Sequence, residues 1–198
     1  CDIGYFADES DERYGTGFKE EDRTETIGYL RTFNLDIARP ITAKLQEVAY
    51  VQKNAESGNK AFGKLGPITK VPVSGPGASG ESVALFRFDV SAAGDELTTG
   101  KDQLKSAELS VSKCCSADAG GLVVVKAVDC KWLWSTVTWN KRPMNTHGDG
   151  ESVILGKARI PAGVKDVVNI KIRLDAAVLQ QNVEANNNGH VCLALSSE

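Results

Sequence analysis

The chain of 198 residues has no continuous apolar run of about 18 residues, the length that a membrane-spanning helix requires. It also has no Gly-x-Ser-x-Gly motif, and its two histidines, His147 and His190, stand far apart. Neither has a neighbouring serine or cysteine that suggests a catalytic triad, apart from Cys192, which we expect to be oxidised. No two cysteines show the two-residue gap of a zinc knuckle. We therefore expect a protein that is not an enzyme, has no transmembrane segment and needs no cofactor.

Positive charge is also scarce, since 23 lysines and arginines face 26 acidic residues, for a formal net charge of −3. The imbalance lies in residues 1–25, which hold nine acidic and three basic residues, whereas the rest of the chain is mildly basic. A body this weakly basic argues against a nucleic-acid partner. The acidic segment is either a solvated tail or a surface that docks electrostatically on a partner.

The prominent feature of the sequence is the alternation of apolar and polar residues. Between positions 27 and 37, the apolar side chains fall on one face of a long amphipathic strand: Ile27, Tyr29, Phe33, Leu35 and Ile37. Further strands are predicted over residues 43–51, 68–73, 83–90, 107–113, 122–128, 135–139, 152–160, 168–174 and 190–196, with 107–113 and 122–128 forming a hairpin. Helix formers occur together only in residues 175–184. This content indicates an all-β chain, with a sandwich or jelly-roll architecture.

The five cysteines are Cys1, Cys114, Cys115, Cys130 and Cys192. Neighbouring residues on a strand point to opposite faces, so we expect the adjacent pair to form disulfides with different partners, Cys130 and Cys192. Two such bridges imply an oxidising compartment, and hence an extracellular or cell-surface protein. Cys1 is then left over, as a lipid attachment site, as one half of an intermolecular bridge, or as an arbitrary chain end.

Several segments together are similar to one known family. Residues 83–90 (VALFRFDV), 106–111 (SAELSV) and 135–143 (STVTWNKRP) resemble the DNRLRE, or disaggregatase-related, domain. The last segment is the most specific, because family members show the pattern W-x-E-S-T-V-T-W-N-N-R-P. The resemblance covers residues 43–198. The chain departs from the pattern at Trp134, where the family usually has an acidic residue, and the body cysteines are not a general family feature.

The resemblance implies a non-catalytic sandwich of jelly-roll type that is secreted or surface-attached and often lies beside polysaccharide-acting enzymes. Some members bind polysaccharide, including uronic-acid polymers such as alginate. We therefore divide the chain into residues 1–40, an acidic tail with one extra amphipathic strand, and residues 41–198, the DNRLRE-like sandwich. Trp139 is architectural in the family pattern. Trp134 would face the other side of a continuous strand, where it either stacks on a sugar ring or is covered by the N-terminal segment.

A glycan-binding surface would combine an aromatic ring with nearby cations, which favours an acidic polysaccharide as the partner. The candidate residues are Trp134, Lys131, Lys141 and Arg142. Asp149 and Glu151, in the turn-like sequence HGDGE, are candidate ligands for a structural calcium ion. The same loop composition is equally typical of a plain turn.

The alternative hypothesis is a structural subunit of an extracellular filament or surface assembly. A single sandwich with a separate amphipathic strand has the parts that donor-strand exchange needs. In that case residues 27–37 complete a neighbour's sheet instead of their own, and head-to-tail repetition gives an open filament. A binding module would be monodisperse alone, whereas an assembly subunit would polymerise without sugar.

Overall fold

The computed structural model describes residues 26–37, 40–53, 60–65, 71–73, 81–93, 103–114, 121–143, 153–162, 167–186 and 189–197. These residues form eleven strands, two short 3₁₀ helices and one α-helix. The strands are β1 (Thr26–Asp36), β2 (Pro40–Thr42), β3 (Lys44–Lys53), β4 (Phe62–Leu65), β5 (Val71–Val73), β6 (Glu81–Asp89), β7 (Ser106–Cys114), β8 (Gly121–Ala127), β9 (Val153–Ile160), β10 (Val168–Leu174) and β11 (His190–Ser197). The 3₁₀ helices are Ser91–Ala93 and Trp139–Lys141, and α1 is Ala176–Asn186.

The strands form two antiparallel sheets. One has five strands in the order β10-β7-β1-β2, with β5 also paired to β1, and the other has six strands in the order β4-β3-β6-β11-β8-β9. The predicted all-β sandwich with one short helix is therefore confirmed. Among the residues that the structure describes, no helix is both long enough and apolar enough to cross a membrane.

The main core lies between the inner faces of the two sheets. On β6, Ala84, Phe86 and Phe88 belong to this core, whereas the intervening Leu85 belongs to a second cluster on the outer face. This is the period-two alternation that a pleated strand imposes. Phe88 meets Phe33 of the opposite sheet at 4.7 Å between ring centroids, so the two sheets interlock through aromatic contacts.

β1 confirms the strand predicted over residues 27–37, and in this structure it pairs within its own chain. It lies beside β7 along nearly its whole length, and its other edge pairs with β5 at one end and β2 at the other. Phe33, Leu35 and Ile37 are buried in the main core. Burying each of these side chains contributes about 1.5–3 kcal/mol, which explains why the strand docks.

The hairpin predicted between residues 107–113 and 122–128 is wrong. Both segments are strands, but β7 lies in the five-stranded sheet beside β1 and β10, and β8 lies in the six-stranded sheet beside β9 and β11. Alternation shows that a strand has one buried face. Alternation does not show whether the next strand in the sequence pairs with the first in one sheet or packs on it from the opposite sheet. Here β8 lies in the opposite sheet from β7.

The strand predicted over residues 135–139 is also wrong. The backbone N–H groups of Thr136 and Val137 donate to the carbonyl of Leu133, at 3.1 and 2.9 Å, so the chain turns back on itself. Val137 and Trp139 are buried, but against a sheet face rather than in a ladder. The predicted helix is confirmed as α1, which begins after Asp175, whose Oδ1 accepts from the N–H of Val178 at 3.1 Å.

The two sheets approach each other closely where β9 meets β10. The N–H of Asp175 donates to the carbonyl of Leu155 at 2.7 Å, and a Cβ placed on Gly156 would lie only 2.4 Å from the carbonyl oxygen of Arg173. Gly156 is therefore required at this contact. Helix α1, which follows β10 in the sequence, contributes Leu179 and Val183 to the main core.

Candidate functional site

The outer face of the six-stranded sheet is crossed by residues 128–143, a segment that we call the strap. The strap and the sheet share a second hydrophobic cluster, separate from the main core. The sheet contributes Ala49, Val51, Leu85, Cys192 and Ala194, and the strap contributes Val128, Cys130, Trp132, Val137 and Trp139. The strap thus has the packing of a third layer, although it contains no strand.

A disulfide between Cys130 and Cys192 fixes the start of the strap to β11, with a Cα–Cα distance of 5.4 Å. The N–H of Val128 also donates to the carbonyl of Cys192 at 3.1 Å. The expectation that Cys130 and Cys192 would pair with Cys114 and Cys115 is therefore wrong. Cys192 points to the outer face that the strap crosses, whereas Cys114 ends β7 in the other sheet, and Cys115 lies outside the described residues.

An ion pair between Arg87 of β6 and Glu47 of β3 holds the next part of the strap. Nη1 of Arg87 lies 2.6 Å from Oε1 of Glu47, and both side chains are almost buried, at 11% and 12% exposure. Nη2 of Arg87 donates to the carbonyls of Cys130, at 2.5 Å, and Trp132. Oε2 of Glu47 accepts from the N–H of Trp134 at 3.2 Å. The pair therefore satisfies three backbone groups of the strap as well as each other's charge.

The far end of the strap is ordered by a cation–aromatic stack. The guanidinium carbon of Arg142 lies 3.8 Å from the ring centroid of Trp139, and its Nη1 donates to the Trp139 carbonyl at 2.6 Å. Lys53 of β3 approaches the same ring at 5.9 Å. Burial lowers the pKa of Arg142, and a guanidinium so placed still carries its charge at neutral pH. Thr138 caps the 3₁₀ helix by accepting from the N–H of Lys141 at 3.3 Å.

The structure places all four predicted glycan-binding residues on the strap, in different environments. The Lys131 side chain is 90% exposed and lies 3.6 Å from the carboxylate of Asp129. Lys141 is exposed, whereas Arg142 is partly buried on Trp139. Trp134 is partly buried and packs against the second cluster, at a turn rather than on the outward face of a strand.

Sequence reasoning missed three residues of this region. Leu133 is 54% exposed at the turn of the strap, next to Trp134. The other two are Glu47 and Arg87, which hold the strap. The sequence signal for both is a charged residue beside an apolar residue on the same outward face of a strand. Leu85 lies two positions before Arg87, and Ala49 lies two positions after Glu47, and both apolar residues belong to the second cluster.

The calcium hypothesis falls on Asp149 and Glu151, and both lie outside the described residues. Within the part of the chain that the structure describes, no group of three or more histidine, cysteine, aspartate or glutamate residues is placed to hold a metal ion. The strap region itself contains one nearly buried carboxylate, Glu47, and that carboxylate is occupied by Arg87 and the strap backbone.

Comparison with known proteins identifies no family for this chain. No protein-family model, no curated protein and no solved structure matches it. The resemblance to the DNRLRE domain therefore stays a prediction that rests on three short segments. The structure describes all three segments: residues 83–90 lie in or directly after β6, residues 106–111 lie in β7, and residues 135–143 form the second half of the strap.

Proposed function

We propose that the protein is a non-catalytic polysaccharide-binding sandwich of the cell exterior, with acidic glycans as its preferred ligands. The observation that supports this most is the strap, a non-strand segment held rigidly on the sheet and carrying exposed apolar and cationic side chains. Leu133 is 54% exposed and Trp134 is partly exposed beside it. Lys131 lies on the same segment with its ammonium group in solvent.

Rigidity is what makes the strap suitable for binding a flexible polymer. Ordering a loop at the moment of binding costs free energy, so a loop that is already ordered binds more tightly. The strap is fixed at Cys130 by the disulfide, at Trp132 and Trp134 by the Arg87–Glu47 pair, and at Trp139 by the stacked Arg142. An apolar ring or side chain can then cover the apolar face of a sugar while lysines meet its carboxylates.

The disulfide also supports the proposed location. Cys130 and Cys192 are buried, and a structural bridge of this kind forms and persists in oxidising compartments. An extracellular or cell-surface protein fits this chemistry. A lipid at Cys1 would be one way to hold it there, and mass spectrometry of the protein purified from its native source tests for that modification.

Affinity electrophoresis of the intact chain tests the proposed function. Native gels containing alginate, a neutral β-glucan or no polymer would be run with the wild type, with Trp134→Ala, and with Lys171→Ala on the opposite sheet as the control. We expect the alginate gel to retard the wild type and the control, and Trp134→Ala to migrate faster. If no glycan, acidic or neutral, retards the wild type, the proposed function is wrong.

A specific observation favours keeping the donor-strand alternative as a second candidate. β1 is an N-terminal strand that pairs on both of its edges and supplies Phe33 and Leu35 to the main core. At its end β1 pairs with β2, and Asp36 is the cross-strand partner of Pro40. Unpairing β1 from its own sheet would allow the strand to fill the equivalent position of a neighbour.

Analytical ultracentrifugation of the full chain over a wide concentration range decides this alternative. A truncated chain lacking residues 1–39 should sediment as a monomer and should regain its unfolding temperature when a peptide of residues 26–37 is added. Polymers of the full chain that disappear on truncation would support exchange. A full chain that stays monomeric at every concentration, including after unfolding and refolding at high concentration, rejects it.

A further inference from the structure

The outer face of β3 and β6 carries an ion pair at each end of the two strands. The register places Glu47 opposite Arg87 at one end and Lys53 opposite Glu81 at the other. Between the two pairs lie outward-facing apolar residues that belong to the second cluster or pack against it: Ala49, Val51, Val83 and Leu85. The strap covers this apolar middle and reaches both ends of the face.

The second half of the strap runs along β3. The N–H of Trp134 donates to Glu47 at 3.2 Å, and the ring centroid of Trp139 lies 5.9 Å from Nζ of Lys53. Glu47 and Lys53 lie near opposite ends of the same strand. Because a strand rises about 3.3 Å per residue, their Cα atoms are roughly 20 Å apart. The surface along which the strap lies is therefore long enough for several sugar residues of a polymer.

The exposed side chains of the strap change in character from one end of this surface to the other. At the Glu47 end, Leu133 is 54% exposed and Trp134 is partly exposed. Ser135 and Thr136 follow, and both are exposed. At the Lys53 end, Lys141 is exposed in the same 3₁₀ turn as Trp139. Apolar side chains that can cover a sugar face are thus followed by hydroxyl groups and then by a cation.

Positive charge gathers at the Lys53 end. The guanidinium of Arg142 and the ammonium of Lys53 both lie against the Trp139 ring, and Glu81 is 3.4 Å from the ammonium. Burial lowers the pKa of Arg142, and the charge of Glu81 acts against that lowering, so this carboxylate faces both cations. Together with Lys141, three bases of the described residues share this end of the strap with Glu81.

Holding the strap in place accounts for only part of this charge. Arg142 has a structural role, because it stacks on Trp139 and donates to its carbonyl. The Lys53 side chain is 63% exposed, and an exposed ion pair such as the one with Glu81 contributes at most about 1 kcal/mol. Lys53 and its neighbour Lys141 are therefore available to an anionic ligand at little cost to the fold.

We propose that the strap binds an acidic polysaccharide lengthwise, with one subsite at Leu133 and Trp134 and a second, anion-binding subsite at Lys53 and Lys141. This inference rests on the proposed function and adds the ligand length that the site prefers, a chain of several uronic acids rather than a single sugar. Lys53 joins the site from β3, outside the strap. A chain that reaches both subsites gains affinity over one that reaches a single subsite, because the second contact forms within the same complex.

The test measures the affinity of the intact chain for oligouronates, from the disaccharide to the octasaccharide and the polymer, by isothermal titration calorimetry. The variant is Lys53→Gln/Lys141→Gln, and the matched control beside the five-stranded sheet is Lys105→Gln/Lys171→Gln. Each double variant removes two exposed cations and breaks one exposed ion pair. A neutral β-glucan serves as the uncharged ligand, and unfolding temperatures confirm that both variants are folded.

We expect wild type and control to bind the octasaccharide roughly tenfold more tightly than the disaccharide, and most of this gain to disappear in Lys53→Gln/Lys141→Gln, since two exposed charge contacts are lost. Longer chains also offer more binding positions, so the proteins are compared at equal chain length. Rising salt should reduce the gain in the wild type, because salt screens exposed charges. Affinity for the neutral glucan should stay the same in all three proteins.

The outcomes separate this site from the proposed function. If the gain with chain length is the same in the Lys53→Gln/Lys141→Gln variant as in the wild type, or if variant and control lose affinity equally, the lengthwise site is wrong and the proposed function stands. A wild type that binds the disaccharide as tightly as the polymer leads to the same conclusion. If the wild type binds no glycan, acidic or neutral, the proposed function is wrong and this site falls with it.

Discussion

Replacing Glu47 with alanine should release the strap by leaving the charge of Arg87 without its carboxylate. The two side chains are 11% and 12% exposed, so solvent screens the pair only slightly. Removing one partner of a fully buried ion pair costs about 3–5 kcal/mol. Allowing for the residual exposure, and for the lost acceptor of the Trp134 N–H at 3.2 Å, we expect a loss of about 2–4 kcal/mol for Glu47→Ala.

Urea unfolding followed by tryptophan fluorescence measures this loss directly, since all three tryptophans lie on the strap. A loss of this size should lower the unfolding temperature by roughly 4–16 °C in a protein of this length. The double variant Glu47→Met/Arg87→Met removes both charges, so it should be more stable than Glu47→Ala. The control is Lys171→Ala, which breaks an exposed ion pair with 71% and 28% side-chain exposure and should cost at most about 1 kcal/mol.

Two results would refute this reasoning. If Glu47→Ala is no less stable than the exposed-pair control, the ion pair does not hold the strap. If the double variant is less stable than Glu47→Ala, the unpaired charge is not the source of the loss, and the two hydrogen bonds from Arg87 to strap carbonyls carry the stability instead.

Three further outcomes follow from the structure. Replacing Cys192 with alanine should lower the free energy of unfolding by about 2–4 kcal/mol, because the disulfide is lost. When the wild type is reduced as well, the difference between wild type and variant should shrink to the packing contacts of the missing sulfur atom. Gly156→Ala should cost about 1–3 kcal/mol in urea unfolding, because its Cβ would meet a carbonyl oxygen of β10, and a wild-type midpoint would contradict that close approach. Hydrogen bonds from Ser91 lower the pKa of Asp89 below its ordinary value, so its contribution to stability is present above that value and is lost as the pH falls through the lowered pKa. The urea midpoint of the wild type should therefore fall more between about pH 5 and about pH 2 than that of Asp89→Asn, and parallel curves would count against it.

Alternation in the sequence predicted most strands because their inner faces are apolar and their outer faces are not. β10 follows this pattern closely, whereas β11 is buried on both faces, and both strands lie where the sequence places them. Alternation does not encode which sheet a strand joins, so β7 and β8 were wrongly paired. That choice depends on contacts between residues far apart in the sequence, which a local pattern does not contain.

The strap was misread because burial and strand formation leave the same local signature. Val137 and Trp139 are buried, as the composition of residues 135–139 suggests, but their cover is the outer face of a sheet. The missing signal was that the six-stranded sheet has apolar residues on both of its faces. On β3, Val48 is in the main core whereas its neighbour Ala49 is in the second cluster. The same oversight misassigned the cysteines, because Cys192 belongs to that outer face.

The bridge between Cys130 and Cys192 also decides how the protein behaves under tension. The two cysteines are 62 residues apart in sequence, and the strap's second half, β9, β10 and α1 all lie in the loop that they close. A force that pulls the two ends of the chain apart passes directly across the bridge, so that loop bears no load. Even if every strand outside it were pulled loose, the chain would stop about 200 Å short of its full contour length. A force on the two ends would therefore extend the molecule over a limited distance, and the bridge would then carry the load.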